Sequence, residues 1–138
     1  MKYDIAQAAI EQHVLDGWTE TAVQYDNVAF NSEAYTEYLR CHVAFGEGIP
    51  RSITRGCTRH TGILFLTVFS KPGEGSQRKL ELASAAAELV DSVIINPIAP
   101  AVDPKIQMTT ASLTSENKEL NGWVQSIVSC PFYYDLRT

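Results

Sequence analysis

The chain has 138 residues, 45% hydrophobic and 20% charged, with a formal net charge of −5. That length suits one domain, residues 1–138, burying roughly two-thirds of its unfolded surface. The acidic balance argues against binding nucleic acid by net charge. No apolar run nears the ~20 residues of a membrane helix, and the polar start Met1-Lys2-Tyr3-Asp4 is unlike a signal peptide. Three cysteines, Cys41, Cys57 and Cys130, are an odd count that suits reduced thiols in a cytosolic setting.

Asp4 is positioned to cap a first helix, with Gln7 as its capping-box partner. Ala6, Ala9, Ile10, His13 and Val14 then recur at helical spacing, and Gly17 suits the helix end. Val23-Gln24-Tyr25 reads as a short strand closed by Asp26-Asn27. From Tyr35 to Phe45 the pattern alternates. Leu39, Cys41, Val43 and Phe45 share one face, and Tyr38, Arg40, His42 and Ala44 the other. Gly46-Glu47-Gly48-Ile49-Pro50 is expected to end this strand. Arg51 to Arg59 reads as a polar hairpin arm with Gly56 as a possible bulge.

Gly62-Ile63-Leu64-Phe65-Leu66-Thr67-Val68-Phe69 is apolar on both alternating faces, the pattern of a central strand covered on each side. Pro72-Gly73-Glu74-Gly75 then turns into a helix near 76–93. Leu80, Ala83, Ala87 and Val90 lie on one face of that helix, adjoined by Leu82, Ala86 and Leu89. The prolines at 97, 100 and 104 mark an extended connector. Ile106–Leu113 and Leu120–Cys130 are two β-like runs, with Ser115-Glu116-Asn117-Lys118 as the loop between them. The resulting class is α+β: a mixed, mostly antiparallel sheet flanked by two helices, with a β-hairpin arm.

The chemistry-bearing residues do not assemble into a motif. Cys41, His42, Cys57 and His60 are the nearest approach to a metal set. However, neighbours on a strand point to opposite faces, and no paired CxxC occurs. There is no GxSxG elbow, and His13 sits on a helix face with Ala9 and Ile10, where a structural role fits best. The turn before the second helix has neither GxxxxGK[ST] nor GxGxxG spacing, and Glu74 would repel a phosphate. No catalytic residue, cofactor or metal is therefore assigned.

Arg40, Arg51, Arg55 and Arg59 are four of the six arginines, and Glu47 is the only acid between residues 40 and 60. They read either as a solvated hairpin or as an arm pairing with acids on a neighbouring subunit. Phe132, Tyr133 and Tyr134 near the C-terminus are either interface anchors or aromatics that close the core.

Taken in order, Tyr25-Asp26-Asn27-Val28-Ala29-Phe30, Tyr38-Leu39-Arg40, Arg59-His60-Thr61-Gly62, Val68–Gly75 with its helix, and Pro131-Phe132-Tyr133-Tyr134-Asp135 carry a likeness. Over roughly residues 10 to 135 the chain resembles the tail terminator family of long-tailed bacteriophages, relatives of the lambda minor tail protein U. The resemblance implies a virion structural protein at the head-proximal end of the tail, assembled in the host cytoplasm as a ring, typically a hexamer. The ring would cap the tail tube, stop its polymerisation and present the surface to which the head or neck protein joins. Genomic DNA would pass through its lumen without specific binding. The resemblance implies no cofactor and no catalysis. Two other readings stand beside it. One is a head-side neck or tail-completion protein of similar fold. The other is a small α+β ligand-binding domain with inward polar groups such as His13, His42 or Tyr38.

Overall fold

A computed structural model of the chain describes residues 3–26, 28–50, 56–71, 76–97, 103–120 and 122–137. The order of elements is α1 (Tyr3–Gly17), β1 (Ala22–Gln24), a 3-10 turn (Ser32–Ala34), β2 (Glu37–Pro50), β3 (Cys57–Ser70), α2 (Ser76–Val90), β4 (Ile94–Ile95), β5 (Ile106–Met108), β6 (Ser112–Leu120) and β7 (Trp123–Arg137). The seven strands form one sheet in the order β1-β2-β3-β7-β5-β4, with β6 also pairing β7. Among the described residues only β1 with β2 is parallel; every other pair is antiparallel. The α+β class with two helices and a mostly antiparallel sheet is as the sequence predicts.

The two-sided apolar run is the centre of the sheet, but it is not covered on each side as its pattern predicts: the helices cover one face, and Ile63 on the other is 38% exposed. β3 lies between β2 and β7, and Leu64, Leu66 and Val68 are at most 1% exposed. Both helices cover the face that these three residues present. Ala6, Ala9, Ile10 and Val14 of α1 join Leu82, Ala83, Ala86 and Val90 of α2 in one core with Leu39, Cys41, Val128, Cys130 and Phe132. The helices also touch each other: the His13 Nε2–H donates to the Leu89 carbonyl at 2.9 Å, and Leu89 packs against Gly17, where a Cβ would overlap it.

Several expectations are corrected. α1 begins at Tyr3, so Asp4 lies within its first turn, where a carboxylate complements the helix dipole. The Gln7 side chain donates to Glu11 at 3.1 Å and Asp26 at 3.4 Å instead of closing a capping box. α2 turns its deepest face through Lys79, Leu82, Ala83, Ala86 and Val90, leaving Leu80 half-buried at its flank. β2 does not end at Gly46. It runs on to Pro50 through a bulge between Phe45 and Gly48, where Gly46 and Glu47 together oppose Thr61. The β6–β7 turn is not at Ser115–Lys118 but after Leu120, around Gly122 with φ +80°. β6 absorbs the polar stretch with two register shifts. The last β-like run does not end at Cys130 but continues in β7, paired with β3 as far as Arg137. The turn at Pro72–Gly75 lies outside the described residues.

Candidate assembly surfaces

The face of the sheet away from the helices is built by alternation from Arg40, His42 and Ala44 on β2, Arg59, Thr61, Ile63 and Phe65 on β3, and Ser129, Pro131, Tyr133 and Asp135 on β7. One end of this face is closed. Phe30, stacked on Tyr35 across the 3-10 turn, lies against Tyr38, which stacks on Phe69 at 4.6 Å and meets Trp123 edge-on at 5.0 Å. Lys71 Nζ sits 3.9 Å above the Trp123 ring. The other end is open: a shallow depression of about 480 Å³ lies over Ala44, Ile63, Pro131 and Tyr133, with Arg59 at its rim. The β2 bulge inserts one residue, so Ile49 falls opposite Arg59 on this same face and is 49% exposed.

The arginines predicted as contact residues divide. Arg59 is used within the subunit. Its Nε and Nη2 donate to the two carboxylate oxygens of Asp135 at 2.8 and 2.9 Å, and its guanidinium lies 4.0 Å from the centre of the Tyr133 ring. That hydrogen bond, more than the charge itself, raises the Arg59 pKa above its ordinary value. Arg40 projects from β2 and is exposed. Arg51 and Arg55 lie outside the described residues. The aromatic residues divide as well. Phe132 and Tyr134 are 2% and 1% exposed and belong to the subunit's core, whereas Tyr133 is half-buried on the uncovered face.

The titratable residues have structural occupations. The His42 Nδ1–H donates to Asp26 at 2.9 Å, and Asp26 also accepts the Val43 backbone N–H at 3.3 Å, tying the chain after β1 to β2. Among the described residues no hydroxyl or thiol is hydrogen-bonded to His42 Nε2. Burial pushes the Cys41 thiol up to about 12, helped by Glu11 and Asp26, and the Cys130 thiol up to about 11. Both therefore remain protonated at neutral pH and are poor nucleophiles. Cys41 and His42 point to opposite faces, and among the described residues no three His, Cys, Asp or Glu side chains gather as metal ligands. His13, His42 and Tyr38 are bonded to Leu89, bonded to Asp26 and stacked on Phe69 respectively, and of the three His13 borders a depression of about 330 Å³ with Gln12, Asp16 and Asn96.

The phage tail terminator protein family model matches residues 5–132. The chain belongs to the phage tail terminator family. As a tail terminator it is a structural protein of the phage tail, associated in the virion with tail and head components. One solved structure shares the fold with a TM-score of 0.75 at 19% identity, covering 97% of this chain and 96% of that one. No curated protein matches its sequence. Sequence reasoning missed two features of this tail terminator's surface. Ile49 reaches the uncovered face only through the bulge, and Arg59 finds Asp135 only through the β3–β7 register. The glycine pair Gly46 and Gly48 was the available signal for the bulge; the pairing of residues 76 positions apart left none.

Proposed function

We propose that this tail terminator forms a closed ring, with six subunits as the expected number, that caps the tail tube, stops its polymerisation and offers the surface to which the head joins. The reading assigns it no catalysis and no cofactor, and its acidic surface would let DNA pass the lumen without being held. The observation that carries it beyond family membership is the placement of the two long hairpins. Cys57 pairs with Arg137 and Ser70 with Val124. The β2–β3 hairpin therefore leaves one end of the sheet and the β6–β7 hairpin the opposite end. A stopper between two different partners needs such a bipolar subunit, with one end for the tube and the other for the head side.

The test is assembly. Purified protein is added to growing tail tubes, its mass is followed by light scattering, and tube ends are imaged by negative stain. Rings at one end of tubes that no longer lengthen are the expected result. Protein that stays monomeric and leaves tube length unaffected would overturn the proposal.

A further inference from the structure

We propose that the uncovered sheet face of one subunit is covered by the α1–β1 edge of a second copy of this chain, so that subunits join face to back; this rests on the ring reading above. A closed ring needs two different patches on each subunit, each matching the other, and the subunit carries two. The first is the open end of the sheet face, where Ala44, Ile63, Pro131 and Tyr133 surround the shallow depression and Ile49, opposite Arg59, lies farther along β2, with Ile49 49% and Ile63 38% exposed. The second lies on the helical layer at its β1 edge. There Leu15 and Val28, each 58% exposed, border one depression together with Ala8 and Tyr25.

Charge favours joining the two patches over self-pairing of either. α1 carries Asp4, Glu11 and Asp16 and no Lys or Arg along Tyr3–Gly17, so Leu15 stands among acids. The sheet face carries Arg40 and Lys71, while Arg59 and Asp135 neutralise each other and Asp26 is bound to His42 and the Val43 N–H. Two α1 surfaces brought together would set acid against acid, and two sheet faces Arg40 against Arg40. Face to back sets Arg40 against Glu11 and Asp16, the complementary arrangement that steers association and suppresses wrong pairings.

The test uses the full chain in a Cys57→Ser background, since Cys41 and Cys130 are buried. A chain with Leu15→Cys and Ile63→Cys, oxidised in the presence of tail tubes, is expected to give a ladder of cross-linked species up to the ring. Chains with either substitution alone are expected to give none, while a mixture of the two single variants gives a covalent dimer. Arg40→Glu should raise the concentration for half-assembly by about tenfold or more, and Glu11→Arg with Asp16→Arg should restore it. If the protein forms rings by mass but the ladder is absent, or if Ile63→Cys or Leu15→Cys chains cross-link to themselves, the face-to-back contact is overturned and the ring stands. If the unsubstituted chain stays monomeric with tubes present, both fall.

Discussion

Gly62 is the position where the packing of the sheet makes its sharpest demand. It lies on the core face of β3, opposite Phe45 on β2 and Phe132 on β7, and those two rings meet edge to face across it at 6.0 Å. An alanine Cβ would overlap the end of the Phe132 ring and stand 2.7 Å from the Ala44 carbonyl oxygen. Neither neighbour moves freely: Phe132 is 2% exposed, and Ala44 is held in the β2–β3 ladder. Overpacking of this kind costs about 1–3 kcal/mol. Replacing glycine within a strand returns about 0.5–1 kcal/mol through lower unfolded-state entropy. Gly62→Ala is therefore expected to lose about 1 kcal/mol, within a span of about 0–2.5 kcal/mol, lowering Tm by about 3–4 °C for each kcal/mol in a chain of this size. Urea unfolding of the monomer, followed by the fluorescence of Trp18 and Trp123, measures it. Phe132→Leu removes the ring end, so the pair should couple by at least ~0.5 kcal/mol in a double-mutant cycle. A cycle that is strictly additive would refute the close approach.

Leu66→Ala, at a fully buried site in the central strand, should cost about 2–5 kcal/mol in the same assay; a loss below ~1 kcal/mol would show that β3 is not the centre of the core. The protein should also lose stability in alkali. Folding raises the Cys41 pKa from 9.0 to about 12, so above pH 9 the unfolded chain releases a proton that the folded one keeps. Stability is then full below pH 9 and falls by up to about 1.4 kcal/mol per unit above it. Melting at pH 8 and 10.5 should show a steeper loss than in Cys41→Ala, and equal slopes would reject the assignment.

The parts of the fold legible in the sequence are those set by local alternation. The run Ile63–Phe69 declares itself central because both of its faces are apolar, and Leu39, Cys41 and Val43 declare the core side of β2. Legibility ends where a single residue shifts the register. After Gly46 and Glu47 the alternation resumes one step out of phase, so Ile49 joins the face of Ile63 instead of the core side. The Asn121-Gly122 pair is itself a hairpin signal, but the polar stretch Ser115–Lys118 competes with it and looks more like a loop than a bulged edge strand. Pro131 argues against a strand interior, yet β7 passes through it. Its carbonyl accepts from the Thr109 backbone N–H at 2.9 Å, so its missing donor faces the gap where β6 has ended and β5 begins. That gap is a tertiary fact with no local sign. The same holds for the candidate surfaces. Arg40 is visible as an exposed strand residue, but Arg59 looks equally available until Asp135 arrives across the β3–β7 register.

The ion pair also limits where the assembly can draw its charge. With Arg59 satisfied by Asp135 inside the subunit, Arg40 is the exposed arginine of the uncovered face among the described residues, and α1 carries acids and no Lys or Arg. A lateral contact that spends Arg40 on α1 of the next copy consumes the sheet face and the β1 edge together. It leaves outside the contact the two strand ends, where the β2–β3 and β6–β7 hairpins depart in opposite directions. In such a ring the strands would run broadly along the axis, and each hairpin set would form one rim. A small antiparallel domain can then meet two unlike partners without a second domain, because its two longest hairpins already turn at opposite ends.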